Sequence, residues 1–345
     1  MIDSIKLVGY GPIKNLEWQG LKSINLIIGQ NATGKTITQK ALFSALKCLE
    51  EVNKGDDNRS VSEIISEKMY WTFQTNGSGL GTLVNTGSEK HLLFEMTEGA
   101  ERFSYEFGVD TKKKVMNVQN SFTTPREKHT IFIPAREILS LYQVILKSRE
   151  TDRVFGYDDT EYGLVKAMQY PARYDEMETD IVKVAEELRR FDSGTLEYDK
   201  AEDKWVFRGD NGKIPIGLLS DGIRKMAVIE KLLLNNYIQP GSVVIIDEIE
   251  SSLHPEALVS FIDAIFRLSQ CGIQFFISTH SYITIKKMYV MAHEKNISIP
   301  TVSFSKEKNV EYSDLLENVP DNDIIKAARE IYEKEIDVIV GGIDD

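Results

Sequence analysis

Apolar residues along this chain follow two rhythms, a continuous one in short runs and a three-to-four-residue one in longer stretches. Ile5 to Val8 and Ile24 to Ile28 are short runs that predict strands, the second stopping abruptly at Gly29. From Thr36 the residues Ile37, Ala41, Leu42, Ala45, Leu46 and Leu49 recur at helical spacing as far as the polar stretch Asn53 to Ser60. The order is strand, glycine-containing loop, helix. Between 69 and 118 the pattern changes. Met69 to Phe73, His91 to Glu95, Phe103 to Phe107 and Val115 to Val118 are rich in β-formers and separated by Gly, Asn and Ser, which predicts an antiparallel β-layer. Thr130 to Ile133 is a further short strand stopped by Pro134. Helical spacing returns at Ile138 to Lys147 and Ile181 to Phe191, on either side of the acidic, aromatic stretch Tyr157 to Tyr162, and this middle region predicts an inserted lobe.

Leu196 to Tyr198, Trp205 to Phe207 and Lys213 to Ile216 read as a small β-meander leading to Leu219-Ser220-Asp221-Gly222, where Ser220 is a natural N-cap for a helix over Ile223 to Ile238. Pro240 and Gly241 stop that helix. Val243 to Ile246 is a continuous apolar run of the kind buried on both faces, and the helix Pro255 to Leu268 leads to the strand Ile273 to Ser278. Strands alternating with helices in both halves predict one parallel α/β core. The stretch Asp321 to Val340 places Ile324, Ala328, Ile331, Tyr332 and Ile336 at helical spacing, which fits a packed terminal helix or a helix that docks a partner.

Composition narrows the class. At 345 residues, 42% hydrophobic and 27% charged, the chain is an ordinary globular one of two domains or of one domain with an insertion, so fibrous and disordered classes are excluded. A net charge of −12 repels nucleic acid and anionic lipid on average, so any DNA contact needs a local basic patch. Cys48 and Cys271 are too few for a disulfide framework, and with no leader-like apolar segment near Met1 and no run of 18 apolar residues the expectation is a cytoplasmic protein without a membrane partner.

Four stretches carry candidate chemistry. Gly29-Gln30-Asn31-Ala32-Thr33-Gly34-Lys35-Thr36 is a complete G-x-x-x-x-G-K-T between a strand and a helix. Its glycines let backbone N–H groups point at phosphate oxygens, Lys35 reaches the β and γ phosphates, and Thr36 offers a hydroxyl to Mg²⁺. Val243 to Ile246 ends in Asp247-Glu248, and acids at a core strand's carboxyl end lie where α/β sheets collect ligands. Asp247 suits Mg²⁺, and Glu248 suits a general base for the attacking water. Phe275 to Thr279 ends on His280, a candidate γ-phosphate donor. Ser220-Asp221-Gly222 joins a hydroxyl, a glycine N–H and a helix start into an anion-binding end, although in isolation it reads as simple capping. His91, His129, His254 and His293 show no metal spacing, so no zinc site is expected.

These four pieces, in this order from Ile5 to about Tyr282, resemble the ATP-binding-cassette ATPases, and among them the soluble branch that includes SMC-like, RecF-like and overcoming-lysogenization-defect (OLD) proteins. The resemblance is especially close at Glu248-Ile249-Glu250-Ser251-Ser252-Leu253-His254-Pro255 and at Ile131 to Glu137. It names residues 29–36 Walker A, 219–222 the signature, 243–248 Walker B and His280 the switch histidine. The implied fold is an α/β P-loop core of ABC type with an antiparallel β-layer and an inserted helical lobe. As one discontinuous domain over 1–345, the core takes 1–56, 128–136 and 213–300, the β-layer 69–118, the lobe and meander 137–212, and the tail 320–345. There are departures. Pro134-Ala135-Arg136 stands where transporter ATPases carry a glutamine, which leaves Arg136 or Glu137 as its replacement; His254 stands where they place an aspartate; the signature has Asp221 for a glycine; and Ile37 follows Thr36 in place of a second hydroxyl. Slow hydrolysis is the expectation.

The resemblance implies a composite site, with ATP and Mg²⁺ held by one protomer's P-loop and covered by the signature of a second, in a homodimer or higher oligomer. OLD-like proteins often append a TOPRIM nuclease; no acidic triad follows His280, so the expected effector, a nuclease or toxin in antiviral defence or DNA repair, is a separately encoded protein. Two other readings compete: a DNA-binding repair ATPase, needing a basic groove built from Lys112 to Lys114, Lys147, Arg149 and Arg153, and an ATP-gated scaffold with little turnover. A transporter is the weakest, given the missing glutamine.

Overall fold

The fold is that of a computed structural model in which residues 1–75, 77–87, 91–173, 177–192, 194–209, 212–305 and 310–341 are described. Its centre is a six-stranded sheet in the order β14 (Glu311–Asp314), β13 (Pro300–Phe304), β3 (Ile24–Gly29), β12 (Gln274–Thr279), β11 (Val243–Ile246) and β7 (Thr130–Ile133). All neighbours in it are parallel except β14. Because strand side chains alternate, each of these apolar runs feeds two cores. Leu26, Ile28, Val244, Ile246, Phe275 and Ile277 face one cluster, while Ile27, Val243, Ile245 and Phe276 face the other.

The second core is closed by α1 (Lys35–Glu51), α2 (Val61–Phe73) and a five-stranded antiparallel sheet ordered β2 (Ile13–Gln19), β1 (Ile2–Tyr10), β4 (His91–Glu98), β5 (Glu101–Gly108) and β6 (Asn117–Asn120). This corrects the expected layer at two points. Its first two strands come from the N-terminus rather than from 69–118, and Met69 to Phe73 is the end of a helix. Ser60 and Glu63 form a capping box that starts α2, whose buried Ile64, Ile65 and Met69 keep helical spacing, so the β-forming side chains lose to the cap. The last predicted strand, Val115 to Val118, is realised as β6, two residues later.

The first core is covered by α3 (Tyr142–Leu146), α4 (Asp159–Met168), α5 (Thr179–Asp192), α6 (Asp221–Leu234), α7 (Pro255–Gln270) and α8 (Tyr282–Lys295), with the meander β8 (Gly194–Asp199), β9 (Lys204–Gly209) and β10 (Gly212–Pro215) at its edge. Where one helix was expected over Ile138 to Lys147, the chain makes a 3₁₀ turn at Leu139–Leu141, the short α3, and a π-helical turn at Lys147–Thr151. The stretch Tyr157 to Tyr162, left unassigned by periodicity, opens α4 through a capping box between Asp158 and Glu161. α6 ends four residues short of Ile238, because Asn235 caps it and Asn236 turns left-handed at φ 57°. The terminal helix α9 (Asp323–Gly341) packs only its first turn: Ile325 is buried, whereas Ile331, Tyr332, Val338 and Ile339 lie exposed. The last four residues of the tail lie outside the described residues. No helix among the described residues is long and apolar enough to cross a membrane.

Candidate functional site

The loop between β3 and α1 is shaped by backbone conformation. Gly34 has φ 120°, and a Cβ there would come within 2.8 Å of Ile13 Cγ1; a Cβ on Gly29 would lie 2.7 Å from the Phe304 carbonyl oxygen. Ala32 is left-handed at φ 62°, and the Thr33 hydroxyl donates to the Gln30 carbonyl at 2.8 Å. Lys35 is buried and donates to the carbonyls of Gly29 (2.7 Å) and Gln30 (2.9 Å), so its ammonium lies across the mouth of the loop. Burial pulls that ammonium below its ordinary range, while Glu248, Asp247 and Glu250 pull it back up. Asn31 and Ala32, at the loop's tip, are exposed.

β11 delivers Asp247 beside α1. The Thr36 hydroxyl lies 3.1 Å from Asp247 Oδ2, and the Ser278 hydroxyl donates to Asp247 Oδ1 at 2.6 Å. Ser278 also accepts from the Glu248 N–H at 2.8 Å. One buried hydroxyl from β12 thus fixes both acids at the end of β11. The Gln39 amide, one turn into α1, donates to the Ile246 carbonyl at 2.9 Å and locks the helix to the same strand end. Glu248 itself is left-handed at φ 45°, a conformation that a non-glycine residue holds only where its surroundings impose it. Its carboxylate lies 3.4 Å from His280 Nδ1.

Glu250 organises the switch end. It accepts from the Thr279 hydroxyl and from the His280 N–H, each at 2.8 Å, and lies 3.3 Å from His280 Nδ1. From the signature helix, buried Lys225 reaches the carbonyls of Glu248 (3.3 Å) and Ile249 (3.5 Å). Burial pushes its ammonium down to about 8 against the pull of Glu250, Asp247 and Glu248.

Lys35, Thr36, Asp247, Glu248 and His280 therefore converge as the sequence predicts. Ser220, Asp221 and Gly222 do not join them: Ser220 caps α6 by accepting from Ile223 N–H at 3.4 Å, and no hydrogen bond or ion pair among the described residues links 220–222 to 29–36. Gly222 packs instead on the loop after β11, where a Cβ would lie 2.6 Å from the Ser252 carbonyl oxygen. Both expected stand-ins for the missing glutamine are engaged in ion pairs with residues other than 29–36, Asp247, Glu248 and His280. Glu137 is buried in an ion pair with Arg224 of α6 at 2.8 Å, and Arg136 pairs with Glu161. His254 caps α7, its Nδ1 accepting from Glu256 N–H at 3.3 Å. Lys114 pairs with Glu63 and Arg149 is buried against Asp159, so the cations named for a DNA groove are partly neutralised.

Ser278, Gln39, Glu250 and Lys225 were not singled out from sequence. The available signal was polarity out of place: Gln39 and Lys225 interrupt apolar helix faces, and Ser278 ends an apolar strand.

The residues fit a nucleotide and a divalent cation. The glycine cradle has no room for side chains, its lysine faces the loop, and the Thr36 hydroxyl and Asp247 carboxylate present hard oxygen donors side by side.

Comparison with known proteins gives three findings. Residues 24–286 match the family described as "AAA domain, putative AbiEii toxin, Type IV TA system". A Helicobacter pylori protein named ATP/GTP phosphatase is 20% identical over 90% of this chain and 94% of its own length. Among solved structures, an SMC head bound to the C-winged helix domain of ScpA superposes with a TM-score of 0.56 at 14% identity, over 92% of this chain and 98% of that one, a likeness of fold.

Proposed function

The chain belongs to this AAA-domain family, is an ATPase and shares its fold with an SMC head, and from that premise we propose that two copies close on ATP and Mg²⁺ and that the closed state governs a separately encoded effector. One observation carries the reading: the P-loop, both acids of β11 and His280 meet within one chain, whereas the signature end at Ser220 is exposed and bonds to none of residues 29–36. A second copy would supply it, and the single domain with an inserted lobe would move as the unit that closes.

Each side chain then has a task. Backbone N–H groups of 29–36 and Lys35 bind the phosphates, and Thr36 and Asp247 would hold Mg²⁺, which when bound offsets phosphate charge. Glu248 orients and deprotonates the attacking water, and His280 donates toward the γ-phosphate while resting on Glu248 and Glu250. Ser220 and Gly222 of the second copy would close over the γ-phosphate. Homology with a protein named ATP/GTP phosphatase supports turnover of the nucleotide over passive scaffolding.

Light scattering on Glu248→Gln tests the composite site. ATP should produce a dimer that outlasts that of the parent protein, because binding survives and hydrolysis does not. If the variant stays monomeric at saturating ATP, the two-copy mechanism is wrong. For the effector, turnover altered by a co-purifying protein but indifferent to duplex DNA is expected; DNA-stimulated turnover with steep salt dependence would favour a repair clamp instead. Antiviral defence and DNA repair are the settings in which such a regulated effector makes sense.

A further inference from the structure

A cleft of about 610 Å³ opens at the far end of α1 from the P-loop, between that helix, α2, α4 and the π-helical turn at Lys147–Thr151. Its volume is that of a small-molecule site. Although the whole chain carries −12, the walls hold six Lys or Arg side chains against four carboxylates, so this is a locally cationic hollow in an acidic protein. Arg149 lies in it with only 8% of its side chain exposed. Its guanidinium stacks 3.6 Å from the Trp71 ring centroid and 5.0 Å from that of Tyr162. One of its terminal nitrogens, Nη1, is buried without a hydrogen-bond partner.

A buried guanidinium nitrogen left unpaired costs free energy that an anion would recover. Asp159 pairs with the other terminal nitrogen, which leaves Nη1 as the donor open to a further anion. π-Helical turns also concentrate at functional sites rather than in filler. Lys54 and Arg153 line the rim, both exposed and neither in an ion pair among the described residues. Aromatic faces beside surplus cations suit a planar ring carrying phosphate.

We propose that this cleft is a second ligand site, separate from the P-loop, for a small phosphate-bearing molecule with a planar base, of the nucleoside monophosphate class. Trp71 reports on it directly, since the other two tryptophans, Trp18 and Trp205, are buried elsewhere. The probe is AMP, titrated into full-length protein carrying Lys35→Ala so that the P-loop contributes little, with Trp71→Phe as the control for the signal. AMP should quench Trp71 emission with a Kd below about 1 mM, tighter than inorganic phosphate, and Lys54→Ala/Arg153→Ala should weaken it about tenfold. Those two side chains are exposed, so thermal unfolding of the double variant should match the parent. Absent AMP binding, AMP binding no tighter than phosphate, or binding unchanged by the double variant would overturn the site. Binding of hexathymidylate without AMP would overturn it too, by making the cleft a nucleic-acid track. None of these results bears on ATP hydrolysis at the P-loop, which is read from the protein with Lys35 intact.

Discussion

Replacing Lys225 by methionine should give a protein that is more stable at neutral pH and slower. In an unfolded chain a lysine titrates near 10.4, but in the fold burial brings Lys225 down to about 8. At about 1.4 kcal/mol per unit, holding this side chain charged costs the fold roughly 3 kcal/mol below pH 8. Methionine keeps the length of the stem without the charge, and loses the two long contacts to the carbonyls of Glu248 (3.3 Å) and Ile249 (3.5 Å). Those contacts offset roughly 1–2 kcal/mol, leaving the variant ahead by about 1 kcal/mol at pH 7. Between pH 8 and 10.4 the unfolded lysine holds its proton more tightly than the folded one, so the parent gains stability as pH rises while the variant does not. Urea unfolding at pH 7 and pH 10 should therefore show the order reverse. Turnover at pH 7 should fall about tenfold, because the left-handed peptide of Glu248 loses the donor that orients its carbonyl. A variant less stable than the parent by more than about 1 kcal/mol at pH 7, with the same deficit at pH 10, would show that the charge stabilises the fold and that this reasoning is wrong.

Glu50→Gln should act in the opposite sense. Although burial works against it, Lys47 and His129 hold the Glu50 carboxyl down to about 2, so its contribution of about 3 kcal/mol is full above pH 4.3 and disappears as pH falls through 2. Urea midpoints at pH 7 and pH 2.5 check this; an equal loss at both would contradict it. Gly222→Ala should destabilise by about 1–3 kcal/mol and slow turnover, since the new Cβ meets the Ser252 carbonyl oxygen at 2.6 Å; an unchanged melting temperature would mean the loop after β11 yields freely. Ser278→Ala removes the hydroxyl shared by Asp247 and the Glu248 N–H and should cost about 2–4 kcal/mol, divided between stability and turnover, measured by thermal melts and steady-state rates.

Much of the site was legible because its chemistry is local. A glycine loop between a strand and a helix, and acids at the end of an apolar run, are contiguous patterns, and the structure brings residues 29–36, Asp247, Glu248 and His280 together. What escaped was set by partners distant in sequence. Ser278 matters because β12 lies beside β11, and Lys225 because α6 runs under the loop after Walker B. In the fold, the parallel strands Thr130–Ile133 and Val243–Ile246 were legible since burial on both faces leaves them apolar throughout, Thr130 excepted. Helix starts fixed by caps, at Ser60 and Asp158, overrode residue preferences inside the segments that follow. β13 and β14 carry no motif that would mark them in the sequence.

The first residue of α9 is bonded to the P-loop: Gln30 Nε2 donates to Asp323 Oδ2 at 2.8 Å, and beyond that turn the helix stands largely in water. Such a helix is a lever arm whose short end rests on the nucleotide loop. A fluorescent protein or affinity tag fused behind it would load the long end, and could shift ATP kinetics in a protein whose catalytic residues are all intact. Fusions placed ahead of β1 are the safer comparison, and a rate difference between the two arrangements would measure how stiffly the arm transmits load.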